Sequence, residues 1–168
     1  RDVFSLCFMI HIETVEQLTL FLGFDLEVYE DRPACDHPGV RVSQVFTRVA
    51  RAIREGDRAA AAIGIAVILK DPHLPFGRLI KSGLARALKQ HPELLDSGEV
   101  ERFLFKTAKL LSLEYSPREV QCYTKLVKKL GPEAARQVIV HAQPIAERSR
   151  QILDSLTQFV VTETSGIK

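Results

Sequence analysis

The 168 residues include no tryptophan, a single methionine (Met9) and only three cysteines, Cys7, Cys35 and Cys122. Three thiols at unrelated spacings cannot close a complete disulfide framework and fit no zinc-ligand pattern. A secreted disulfide scaffold and a zinc finger are therefore excluded, and a reducing compartment is expected. Long hydrophobic runs are missing too. The longest strongly apolar stretch beyond the N-terminus, residues 59–69, falls far short of the roughly 20 residues that cross a bilayer. Residues 3–12 are apolar enough to be mistaken for the core of a signal peptide. Only Arg1 and Asp2 precede them, however, and no small-x-small cleavage site follows. A cytoplasmic protein with no membrane partner is the expectation. No glycine-rich phosphate loop, nucleophile elbow or HExxH pair occurs. His73, His91 and His141 stand singly, and Cys35-Asp36-His37 has no second Cys or His at metal spacing. A non-enzymatic protein with no catalytic residue, metal or cofactor is expected.

The chain does carry an ordinary globular composition, 46% hydrophobic and 26% charged, enough for one packed domain. Its net charge of +2 conceals an asymmetry. Residues 1–39 hold eight acids against Arg1 and Arg32, whereas residues 40–168 hold 21 Lys and Arg against 13 acids. This split describes an acidic arm on a basic body, and a basic body suits anionic partners. If the halves instead neutralise each other across one fold, the asymmetry has no such meaning.

Residues 3–29 read as extended chain. Phe4, Leu6, Phe8, Ile10 and Ile12, then Leu18, Leu20, Leu22, Phe24, Leu26 and Val28, alternate with period two, which suits one face of a ribbon or β-hairpin joined at 13–17. Residues 30–39, with two Pro, one Gly and several charges, form the clearest linker. The period then becomes helical. Val42, Val45, Phe46, Val49 and Ile53 make one apolar stripe, stopped by Gly56-Asp57. Residues 59–70 are apolar almost all round, as in a central buried helix ended by Asp71-Pro72. A third helix is expected over 76–90 with Leu79, Ile80, Leu84 and Leu88 inward. A fourth is expected over 97–113 with Val100, Phe103, Leu104, Leu110 and Leu111 inward. Ser116-Pro117-Arg118-Glu119 carries the residues of a capping box for a fifth helix, which Gly131 ends. Pro132 opens a sixth, bent at Gln143-Pro144 and running to about 159.

The expected fold is therefore mainly α: an irregular bundle of about six helices over 40–159, with an extended arm over 1–39 and a tail over 160–168. Helix pairs at 40–71, 76–113 and 116–159 have the period of HEAT-like hairpins but share no residue pattern. Residues 126–139 carry a faint helix-turn-helix outline around Gly131, although Gln137 stands where that motif needs an apolar residue.

Within the N-terminal segment, Gln17-Leu18-Thr19-Leu20-Phe21 resembles the Q-L-x-L-F pentapeptide by which bacterial replication and repair proteins dock on the β sliding clamp. The resemblance covers five residues. It implies that Gln17 hydrogen-bonds at one end of a surface cleft, that Leu18 packs beside it, and that Leu20 and Phe21 fill an apolar pocket. An extended segment with Leu and Phe anchors suits such a cleft. In the other reading of the same residues, Leu18 and Leu20 are buried strand positions. Basic side chains recur on the polar helix faces: Arg41, Arg48, Arg51 and Arg54 on the first; Arg102, Lys106 and Lys109 on the fourth; Arg118, Lys125, Lys128 and Lys129 on the fifth. Side chains of this kind on one connected surface neutralise phosphates. The expected function is a DNA-replication or repair accessory protein whose arm docks on the clamp and whose body contacts DNA. The alternative is a helical protein–protein adaptor with no nucleic-acid role.

Overall fold

The computed structural model describes residues 11–30 and 37–165, in which eight α-helices and two short 3-10 turns follow one another and no strand forms. The helices are α1 (Val15–Leu22), α2 (Pro38–Arg54), α3 (Arg58–Lys70), α4 (Gly77–Leu88), α5 (Ser97–Leu111), α6 (Val120–Leu130), α7 (Pro132–His141) and α8 (Glu147–Ser165). The turns are Glu27–Tyr29 and Pro92–Leu94. No helix among the described residues is long and apolar enough to cross a membrane.

The segment read as an extended ribbon is corrected over its described part. Residues 15–22 are helical, and the expected hairpin connection at 13–17 is the cap and first turn of α1. Thr14 Oγ1 accepts from the Gln17 amide, and the Gln17 side chain accepts from the Glu13 and Thr14 amides, closing a capping box. Val15, Leu18 and Leu22 then lie on one buried stripe, while Leu20 points outward. The leucine alternation fits a strand equally well; the capped start decides for the helix. Gly23, at φ 77°, ends α1 in a left-handed conformation that a side chain resists. Ile12, Val15, Leu18, Leu22 and Leu26 join the same buried cluster as the later helices, so residues 12–30 sit on the helical body and are not an arm. The expected strand positions Phe4 to Ile10, and the Pro-rich 31–36 part of the linker, lie outside the described residues. An isolated bridge between His11 and His73 ties the start of this segment to the α3–α4 loop, with the Ile12 amide donating to the His73 carbonyl at 3.0 Å.

From α2 to α5 the helices form where the apolar stripes placed them. Asp57 caps α3 by accepting from the Ala59 and Ala60 amides, and Asp96 with Glu99 closes a capping box on α5. Ile63, Ile65, Val67 and Ile68 of α3 are buried, as are Phe46 and Phe103. Leu79 is a correction: it is 69% exposed, because α4 turns Ile80, Leu84 and Leu88 inward and leaves Leu79 on the opposite side. Val100 and Leu110 are half-buried.

The later helices differ in their ends. The Ser116 capping box does not form; residues 118–119 are a turn and α6 begins at Val120. Ser116 Oγ is buried with no hydrogen-bond partner, and Glu119 Oε1 faces Lys81 Nζ at 3.9 Å rather than returning to the cap. The bend expected at Gln143-Pro144 is a complete break between α7 and α8. Ala142 is extended, and the Gln143 amide donates to Ser112 Oγ at 2.8 Å instead of continuing the helix. The tail expected from 160 is helical as far as Ser165.

The packing falls into two rows. In one, α2 packs on α4, α4 on α6 and α6 on α8; in the other, α3 packs on α5 and α5 on α7. Contacts of α2 with α3 and of α6 with α7 join the rows, and α1 lies across α2 and α3. The core runs between them, with Phe103 and Tyr123 in edge-on contact at 5.6 Å between ring centroids.

Candidate functional site

The clamp-like pentapeptide occupies the last turns of α1. Leu18 is fully buried and Gln17 is committed to the cap, whereas Leu20 is 86% exposed and Phe21 half-buried. Lys70, at the end of α3, holds this helix down. Its ammonium donates to the carbonyls of Phe21 and Leu22 at 3.1 and 3.2 Å and lies 5.7 Å from the Phe21 ring centroid. Glu16 sits in the first turn of α1, where a backbone hydrogen bond holds its carboxyl below the usual range, helped by Thr14 and Arg41.

The basic residues singled out on the helices separate into groups with different partners. On α2, Arg51 is exposed and Arg48 half-buried, while the neighbouring Arg41 pairs with Glu30. On α5, Arg102 donates to the Gly98 carbonyl at 3.1 Å, Lys106 binds Asp71 at 2.8 Å, and Lys109 lies 4.5 Å above the Phe105 ring. On α6, Lys125, Lys128 and Lys129 come together with Lys89 and Gln90, which follow the end of α4, around one open cleft. Lys128 also donates to Ser155 Oγ at 2.7 Å. No carboxylate lines this cleft. Glu93 carries a charge of opposite sign near Lys129, its carboxyl held low by its own backbone hydrogen bond, then by His91 and by the charge of Lys129, and Glu147 lines the adjoining groove with Lys125 and Lys128. His91 is correspondingly raised above the usual imidazole range by its 2.8 Å hydrogen bond to Glu93. Lys89 was not singled out in the sequence, because the contact of α4 with α6 is not encoded in any local spacing.

A second constellation escaped sequence reasoning altogether. Asp71, read only as a helix stop, ends α3 at φ 51° and binds Lys81 at 2.5 Å and Lys106 at 2.8 Å. Burial opposes its charge, but the hydrogen bonds from Lys106 and Lys81 outweigh that and hold the carboxyl below its ordinary range. Lys81 is itself buried and reaches toward Glu119, which is buried as well. Burial pushes the Tyr123 hydroxyl far up, and the Asp71 and Glu119 carboxylates add to the effect, so this phenol stays protonated. Of these groups Asp71, Lys81 and Glu119 line an open cavity of about 890 Å³ between the α3–α4 loop and the α5–α6 loop. Among the described residues, no group of three or more His, Cys, Asp or Glu side chains is placed to hold a metal ion.

No family model, no curated protein and no solved structure matches this chain.

Proposed function

We propose that this chain is a non-enzymatic helical protein that binds nucleic acid by its phosphate backbone through the lysine cleft of α4 and α6. The observation that carries this reading is the convergence of Lys89, Lys125, Lys128 and Lys129 on one open surface with no acid in its lining. The α5 face contributes less in this reading, since the charge of Lys106 is paired with the Asp71 carboxylate. The two-row packing of consecutive helices supports a HEAT-like description of the scaffold. The test is fluorescence anisotropy of the full chain with a labelled DNA duplex and a labelled single strand at several salt concentrations. Log affinity should fall linearly with log salt, by about 0.7–0.9 per phosphate contact. Replacing all four lysines by alanine should flatten that slope by about two to three contacts' worth across all sequences. Equal loss from replacing Arg102, Lys106 and Lys109 would move the interface to α5. No binding at low salt would leave the adaptor reading.

A second reading concerns α1 and rests on the exposure of Leu20. We propose that the pentapeptide docks on a bacterial sliding clamp after α1 unwinds. Releasing Leu18 forfeits about 2–3 kcal/mol of burial, and losing the cap about 1 kcal/mol more. A peptide covering residues 16–24 should therefore bind the clamp about a hundredfold or more tighter than the full chain does. Leu20→Ala together with Phe21→Ala should abolish binding by both. Failure of the free peptide to bind would end the clamp reading.

A further inference from the structure

The cavity beside Asp71 has features that neither the lysine cleft nor α1 explains. Its lining carries five cations, Lys70, Arg78, Lys81, Arg118 and Arg148, against two carboxylates, Asp71 and Glu119. Lys81 and Asp71 satisfy each other, and Lys70 is spent on α1. Arg78, Arg118 and Arg148 are different: each is exposed, and none makes a hydrogen bond or ion pair with any described residue. Three unengaged guanidiniums around one concavity present forked donors suited to a phosphate or carboxylate.

The wall of the cavity asks for the opposite kind of group. Glu119 is 8% exposed, and its Oε2 is buried with no hydrogen-bond partner. Ser116 Oγ, three residues earlier on the same loop, is buried and unpartnered as well. Buried polar atoms are nearly always satisfied in folded proteins, and a carboxylate oxygen can only accept. A ligand that satisfies this wall brings an N–H or O–H donor to Glu119. The lining also holds apolar and aromatic side chains, among them Phe76, 54% exposed, and Tyr115, 66% exposed. Phe76 also sits at φ 57°, a left-handed conformation that a bulky residue rarely holds. Its neighbour across the loop, Asp71, is left-handed too. Strained positions of this kind concentrate where a surface is shaped for binding.

We infer that this cavity binds a nucleoside monophosphate unit, its phosphate taken by Arg78, Arg118 and Arg148, its base lying on Phe76 and Tyr115, and a base or ribose donor reaching Glu119. The unit comes either as a free mononucleotide or as one residue of a single strand. This site goes beyond the lysine cleft and stands or falls separately from it.

The experiment titrates the full ¹⁵N-labelled chain with AMP, adenosine, inorganic phosphate and hexaadenylate, read by calorimetry and amide shifts. AMP should bind and shift amides around residues 72–79 and 115–119, more tightly than adenosine or phosphate does. Arg78→Ala with Arg118→Ala should weaken AMP about tenfold or more, since two charge-assisted contacts are lost. Glu119→Gln should weaken AMP and adenosine but leave phosphate unchanged. If loss of the Glu119 charge unfolds the chain, the two exposed arginines still carry the test. Replacing the four cleft lysines should leave AMP binding intact. Hexaadenylate that binds more tightly than AMP, in an arginine-dependent way, identifies the strand as the source; equal affinities identify the free nucleotide. Absence of shifts at millimolar AMP, or shifts confined to the α4–α6 cleft, overturns the assignment.

Discussion

Ile68→Glu is expected to abolish the cooperative thermal melt and most of the helical circular dichroism at 25 °C. Ile68 is fully buried in α3, the helix that packs on α1, α2, α4 and α5. Removing its side chain from the core forfeits about 2–3 kcal/mol of burial. A carboxylate in its place is desolvated with no partner, and even protonated it leaves a buried polar group that costs about 1–3 kcal/mol more. The helices around it leave little room for adjustment. A Cβ on Gly64, one turn earlier, would already meet Ile53 Cδ1 at 2.9 Å. The combined cost, about 3–6 kcal/mol, reaches the lower end of the roughly 5–15 kcal/mol by which domains of this size are stable. Leu20→Glu serves as the control, because that side chain is 86% exposed and its replacement should leave the melt within about 1 kcal/mol of the parent. Equal melts for the parent and Ile68→Glu would mean that α3 is not central.

Asp71→Ala should lower the melting temperature by about 6–12 °C, corresponding to about 3 kcal/mol. The carboxylate serves two ammonium groups, and Lys81 is buried. Without Asp71, Lys81 keeps only Glu119 at 3.9 Å. The charge that remains costs more than the pair contributed, which is why removing one partner exceeds the net worth of the bridge. The same site fixes a pH dependence. The folded-state carboxyl of Asp71 is held below its unfolded value, near pH 4. Its contribution is therefore present above about pH 4 and is lost as pH falls through the lower folded value. The stability difference between the parent and Asp71→Asn should shrink as urea unfolding curves are taken from pH 6 to pH 3. A difference that stays constant over this range would mean the carboxylate is not charged in the fold.

Both predictions draw on features of different legibility. The stripes of α2 to α5 were readable because amphipathic periodicity and local stops (Gly56-Asp57, Asp71-Pro72, His91-Pro92) act over a few residues. Residues 15–22 were misread because Leu18, Leu20 and Leu22 satisfy a period of two, while the deciding Thr14–Gln17 cap is a polar signal outside the leucine pattern. The Ser116-Pro117 signal misled in the other direction. Its residues are those of a cap, but Glu119 is drawn toward Lys81, 38 positions away in the chain, and α6 starts later. The basic side chains were legible one helix at a time. Their convergence was not, since Lys89 and Lys129 meet only when α4 packs on α6. The cavity with Asp71, Ser116 and Glu119 joins two loops, so no spacing in the chain announces it.

The amphipathic balance of α8 has a consequence for how the molecule comes apart. Of its 19 residues only Ser149 and Leu156 are buried, and it is the last of the described helices, resting on α5, α6 and α7. Leu156 is fully buried and Ile152, Leu153, Phe159 and Val160 are half-buried against the core, so detaching α8 exposes less apolar area for its length than withdrawing α3, in which seven of 13 residues are buried. Opening free energy is graded along such a stack, with peripheral elements lowest and the centre near the global value. Breathing of the native state is thus expected to begin at α8 and to bare the side of α6 on which Lys128 meets Ser155, while the α2–α5 centre stays closed.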